Sequence, residues 1–189
     1  QYPAGATVAS VVDNVGSSSI RGWEFEGRVR ATDALTFNAS LSYIDAKFDQ
    51  FLAYIPTASG NTSCPTLPGC VVDVSSQRDF QNTPEWTAAG TLAYSVPVAS
   101  GTLNASTTLS YRSKTYQFEI PNPYIDQKGF ALWDASLVYT APDDRWSIGL
   151  FGKNLTDKEY KTSGYSFIAG NATTGVPVIG ANGLPVASL

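Results

Sequence analysis

Residues 35–43 read Leu35-Thr36-Phe37-Asn38-Ala39-Ser40-Leu41-Ser42-Tyr43. Apolar residues fill the odd positions and polar ones the even positions, the period-two pattern of a β-strand with two unlike faces. Further along the same parity, Asp45, Lys47 and Asp49 replace the apolar residues. The strand therefore reads as running on beyond its apolar band, as one leaving a slab would do. Residues 103–111 repeat the pattern, with Leu103, Ala105, Thr107, Leu109 and Tyr111 alternating against Asn104, Ser106, Thr108 and Ser110. Here too the strand is expected to continue, over 102–120. The alternation recurs in 23–31 (Trp23, Phe25, Gly27, Val29), 86–96 (Trp86, Ala88, Leu92, Tyr94), 131–139 (Ala131, Trp133, Leu137, Tyr139) and 146–150 (Trp146, Ile148, Leu150). A weaker strand is expected over 6–14. Helical periodicity is nearly absent.

About seven strands follow from this reading, joined alternately by short turns and long loops, as in an up-and-down antiparallel sheet. The turns are 32–34, 97–101 and 141–145. The long connections are 53–81, 121–128 and everything after Tyr160. A sandwich strand is typically about 5–6 residues, whereas one crossing a bilayer needs about 9–11. The longer bands here fit the second. Aromatic residues also fall at both ends of the bands, with Trp23, Tyr43, Trp86, Tyr111 and Trp133 toward the long loops and Tyr94, Tyr139 and Trp146 toward the turns. Two such belts are what ring side chains form at two headgroup levels. The expected fold is therefore all-β, an antiparallel up-and-down transmembrane barrel segment. Its lipid-facing set is Trp23, Phe25, Leu35, Phe37, Leu41, Tyr43, Trp86, Leu92, Tyr94, Leu103, Leu109, Tyr111, Trp133, Leu137, Tyr139, Trp146, Ile148 and Leu150.

Composition narrows the function. The chain has 189 residues, 15% charged against 12% aromatic, a formal charge of −4, and no His. The missing His excludes Ser-His-Asp or Cys-His chemistry within these residues. No catalytic residue, metal site or cofactor is expected. No basic stretch is present to neutralise phosphates, so nucleic acid is not an expected partner. Cys64 and Cys70, in Cys-Pro-Thr-Leu-Pro-Gly-Cys, read as a small disulfide-closed loop in an oxidising compartment. Two free thiols or half of a metal site is the other reading. Five Asn-x-Ser/Thr triplets begin at Asn38, Asn61, Asn104, Asn154 and Asn171. Two of them fall inside predicted membrane bands, so an Asn/Thr-rich bacterial barrel explains them better than glycans.

The segment Leu150-Phe151-Gly152-Lys153-Asn154-Leu155-Thr156-Asp157-Lys158-Glu159-Tyr160 resembles the NLxDKxY segment near the end of TonB-dependent outer-membrane receptors. Ile20-Arg21-Gly22-Trp23-Glu24-Phe25-Glu26-Gly27, the stretch 35–48 and Asn82-Thr83-Pro84-Glu85-Trp86 resemble the same barrel in the same order. The resemblance implies a 22-stranded barrel in the outer membrane of a Gram-negative bacterium, plugged by an N-terminal domain. It imports a siderophore, haem, cobalamin or carbohydrate, with energy delivered through TonB. Residues 1–189 would be a C-terminal part of such a barrel, without plug, TonB box or final strand, Gln1 being a processed end or the start of a fragment. Residues 53–81 would form a long extracellular loop, and 161–189 a loop or truncated tail.

Ligand contact is expected from the long-loop side, at Arg112, Lys114, Tyr116, Phe118 and Tyr124, with Phe51, Tyr54, Phe80, Tyr165 and Phe167 as further aromatic candidates. For Arg112 and Lys114 the plainer reading is a solvated strand end paired with a neighbouring acid, worth little to stability. The row Glu24, Glu26, Arg28 and Arg30 is expected to form cross-strand pairs or to meet the plug. Asn154 and Asp157 are expected to make structural hydrogen bonds. Two main rivals stand beside the receptor, a third, an outer-membrane enzyme, being made poor by the lack of His. One is a small autonomous eight-stranded barrel, serving as adhesin or anchor, whose last strand would have to include Val176-Pro177-Val178-Ile179. The other is a secreted carbohydrate-binding β-sandwich.

Overall fold

A computed structural model describes residues 16–56 and 69–164. They form one antiparallel sheet of seven strands: β1 (Gly16–Arg30), β2 (Leu35–Pro56), β3 (Gly69–Asp73), β4 (Trp86–Val98), β5 (Gly101–Arg112), β6 (Phe130–Thr140) and β7 (Ser147–Gly152). The order across the sheet is β1-β2-β4-β5-β6-β7, with β3 added to the far end of β2. The sheet does not close. Short turns lie at one end and long connections at the other, as the alternation requires.

Register decides which side chains share a face. Trp23 faces Tyr43, which faces Trp86, and Phe25 faces Leu41, which faces Ala88. Gly90 faces Leu109, which faces Trp133. Leu137 faces Leu150, and Tyr139 faces Ile148. Apolar thus meets apolar at nearly every step, Thr107 between Leu92 and Ala135 being the exception within the band, and the hydroxyl-rich positions stack on the opposite face. Nothing described lies over the apolar face. Val74 and Ala141 are the buried apolar residues among those described, while Phe25 and Leu109 are 59% exposed and Ile148 is 66% exposed.

Three features differ from the sequence reading. The strand expected over 102–120 ends at Arg112, and 113–128 folds into a compact loop. The loop wins because its polar side chains satisfy its own backbone. The Asp126 carboxylate accepts from the amides of Asn122 and Gln117, the Asn122 side chain accepts from the Tyr124 amide, and Thr115 and Gln127 exchange backbone hydrogen bonds. Second, the 53–81 excursion contains ladder, since β2 runs to Pro56 and pairs with β3 from Leu52–Asp73 to Pro56–Gly69. Third, Ser18 faces Phe48 but Ser17 faces Gln50. Asp49 is thus an extra residue on β2, a β-bulge that reverses the parity beyond it. Phe51 thereby comes to the side of Phe48, ring centroids 5.1 Å apart. The expected strand at 6–14, Tyr165, Phe167, Cys64 and the eighth-strand region lie outside the described residues.

The β4–β5 turn holds its strands together at a conformational cost. Ala99 and Ser100 both have positive φ, 48° and 70°, the geometry of a type I′ turn, which favours Asn-Gly. Gly101 follows, where a Cβ would strike the Thr140 carbonyl oxygen and the Tyr139 ring. Replacing Ala99→Asn and Ser100→Gly together should stabilise the sheet by about 1 kcal/mol. Gly101→Ala should lower stability. Urea unfolding midpoints in lipid vesicles check both.

Candidate functional site

The apolar face carries all the aromatic residues of the two expected belts. Trp23, Tyr43 and Trp86 touch, with ring centroids 6.4, 5.7 and 4.7 Å apart. Tyr139 and Trp146 pair at 5.6 Å toward the turns. Followed across the sheet, both belts slide in one direction. Measured along β4, Trp23 and Tyr43 lie level with Trp86, Tyr111 with Ala88 and Trp133 with Gly90. At the other end Tyr94 starts the series, Tyr139 is level with Val96, and Trp146 is level with Val98. The first belt is level from β1 to β4 and slides from there on; averaged end to end, at about 3.3 Å per residue and 4.8 Å per strand, the two belts correspond to mean strand tilts of about 35° and 42°. One hydroxyl interrupts the apolar face. Thr107 donates to the Asp134 carbonyl oxygen (3.2 Å) and accepts from the Trp133 indole (2.6 Å), so this hydroxyl is satisfied within the sheet.

The opposite face is hydroxyl-rich. Thr91 pairs with Thr108 and Ser106 with Ser136, each at 2.8 Å. Glu24, Glu26, Arg28 and Arg30 lie in a row along β1 but face Ser42, Ser40, Asn38 and Thr36. The expected cross-strand ion pairs therefore do not form toward β2, because that strand offers no charge at the facing positions. Arg30 instead pairs with Asp33 in the adjoining turn at 3.1 Å.

At the long-loop end of this face, the expected ligand residues separate. Arg112 closes β5 between Thr87 and Phe130. It lines a groove of about 420 Å³ with Ser40, Ser110 and Tyr160. Lys114 lies 4.1 Å over the Tyr116 ring, and the two line a second, smaller cavity with Asp79, Phe80 and Glu85. Phe118 and Tyr124 line neither. Phe118 is half-buried within the 113–128 loop, and Tyr124 is exposed with its carbonyl oxygen accepting from Lys161.

Several residues of the site were not singled out from sequence. Phe48 stacks on Phe80 at 4.3 Å, and the Arg78 guanidinium lies 5.5 Å from the Phe51 ring centre. Burial draws the Arg78 pKa down, opposed by Glu119. Phe130 stacks on Tyr160 at 4.6 Å and 10°. Phe130 was legible as an aromatic on the polar parity of its strand. Tyr160 reaches it because the chain after β7 turns back on β6. The Asn154 amide donates to the Asp134 carboxylate at 2.8 Å, the Leu155 amide to the Trp133 carbonyl oxygen, and the Asn154 side chain brackets Lys158. Lys161 then ties to Gln127 and to the carbonyls of Tyr124 and Asp126. Asn154 and Asp157, both at positive φ, thus shape the turn.

A family model described as "TonB dependent receptor-like, beta-barrel" matches residues 1–155. No curated protein and no solved structure matches the chain.

The wall carrying Phe51 hangs on one carboxylate. Asp73 accepts from the amides of Phe51 (3.0 Å) and Ser75 (2.9 Å), which hold its pKa below the usual carboxylate range. A depressed folded pKa stabilises above the unfolded value and is lost as pH falls through the folded one. Amide-exchange protection at Phe51 and Ser75 should therefore persist at neutral pH and fall away below about pH 4. Asp73→Asn should show the same loosening at neutral pH, and unchanged protection in either case would contradict this role.

Proposed function

The chain belongs to the TonB-dependent receptor β-barrel family, and from that membership we propose that it forms wall and outer vestibule of an energised nutrient importer. The family's members are transporters rather than enzymes and reside in the Gram-negative outer membrane. The ligand is a scarce small molecule: a siderophore, haem, cobalamin or carbohydrate. Its import uses a plug domain in the barrel and force transmitted by TonB.

One observation carries the membrane assignment. The described sheet has a continuous apolar face and no second layer to cover it. In water such a face would be an aggregation surface, whereas against lipid it is the ordinary outer wall of a barrel. The belt slopes support this, since barrel strands tilt by about 35–45°. A β-sandwich would need a facing sheet, and the described residues supply none. The unpaired outer edges of β1 and β7 would be met by further strands of a larger barrel.

In this reading the lipid-facing residues are the set from Trp23 to Leu150 named above, and the hydroxyl-rich face lines the lumen. Ligand contacts are assigned to Arg112, Lys114 and Tyr116, while Phe118 and Tyr124 shape the loop beside them. The β2–β3 excursion extends outside the membrane, where Cys64 and Cys70 would be bridged.

A single Arg at Leu41 or Leu109 should cost about 2–4 kcal/mol if these positions lie near the bilayer midplane. Arg at Ser40 or Ser110, facing a wet lumen, should cost clearly less. Urea unfolding in lipid vesicles measures the difference, and equal costs on the two faces would rule out the lipid-facing assignment.

A further inference from the structure

We infer that the groove around Arg112 is a subsite for a carboxylate carried on a ring. The inference rests on the import reading and names ligand chemistry that the wall would select.

The groove is lined by Ser40, Thr87, Ser110, Arg112, Phe130 and Tyr160. The Arg112 side chain is exposed on the hydroxyl-rich face, and its guanidinium makes no hydrogen bond or ion pair with any described residue. No carboxylate among the described residues lines the groove. The neighbouring cavities are different, because Asp79 and Glu85 accompany Lys114 in one, and Glu26 accompanies Arg28 in another. Positive charge is therefore unbalanced at Arg112, in a concavity of ligand size. A guanidinium is planar and offers two parallel N–H donors, which match a carboxylate better than a point anion. The hydroxyls of Ser40, Thr87 and Ser110 can donate or accept around it.

The ring requirement comes from Phe130 and Tyr160. They are stacked face to face on one another, and Tyr160 is still 42% exposed. An aromatic platform beside a cation accepts a flat or C–H-rich ring that bears the anion. Its position is fixed from both sides. Asp134 anchors the Asn154 turn before it, and Gln127 holds Lys161 after it. A carboxylated sugar and an aromatic acid share this chemistry.

Calorimetric titration of the intact protein, purified from the outer membrane in detergent, separates these sources. The probes are digalacturonate and salicylate, each against its methyl ester. At least one acid should bind about tenfold more tightly than its ester, and the acid that does so identifies the source. Arg112→Gln should erase that preference, and Arg112→Lys should retain part of it. Tyr160→Leu should weaken acid and ester together. The acid–ester comparison on the unaltered protein needs no variant to fold. Acid and ester binding alike, neither acid binding at millimolar concentration, or a preference surviving Arg112→Gln overturns the inference. If the protein still fractionates with the outer membrane in that case, the import reading stands; recovery outside the outer membrane overturns both.

Discussion

The structure depends on where its apolar side chains can go. A sheet that sorts most of its large hydrophobic residues onto one face, with Val74 and Ala141 as the buried apolar residues among those described, has no interior of its own. Its hydrophobic medium has to be outside it. In a bilayer that inversion works only if the backbone is hydrogen-bonded entirely within the sheet. The long antiparallel ladders from β1 to β7 supply this pairing, and Thr107 shows the same rule applied to a side chain. The tilt read from the aromatic belts follows too. Rings held at two headgroup planes must slide along successive strands when the strands are inclined to those planes.

The membrane band explains the wall, and the vestibule depends on polar closure. Beyond Tyr43 and Arg112 the chain is no longer sorted by lipid, and local hydrogen bonding decides its shape. Asp126 and Asn122 satisfy the 113–128 backbone, Asp73 fastens β3 to β2, and Lys161 links the segment after β7 to that loop. These contacts place two aromatic pairs, Phe48–Phe80 and Phe130–Tyr160, over the hydroxyl-rich face. A rigid rim above a hydrated wall is what a receptor that must discriminate ligands requires.

The wall was legible in the sequence because a period of two has one meaning when both faces see different solvents. The strands of the main sheet, their parity and both belts could be read from residues such as Leu35, Leu109 and Trp133 without knowing a single contact. The vestibule was less legible. Alternation continues past Tyr111 in Ser113, Thr115 and Gln117, yet the chain folds away because Asp126, nine residues on, takes the Gln117 amide in place of a ladder partner. The bulge at Asp49 leaves no compositional mark, so the face of Phe51 could not be assigned. The pairing of β3 with β2 is a non-local choice inside a segment rich in turn formers. Phe130 and Tyr160 meet only because the Asn154 turn docks on Asp134, a contact between residues 20 apart.

The central claim is that odd positions of 35–43 face lipid and even positions face water. Nitroxide labels placed singly along this stretch, with Cys64 and Cys70 replaced by Ser and the protein in vesicles, report it through collision with oxygen and with a water-soluble nickel chelate. Oxygen access peaking at 35, 37, 39, 41 and 43, with nickel access peaking at the positions between them, is the expected result. Nickel access at the odd positions, or no alternation, would contradict it.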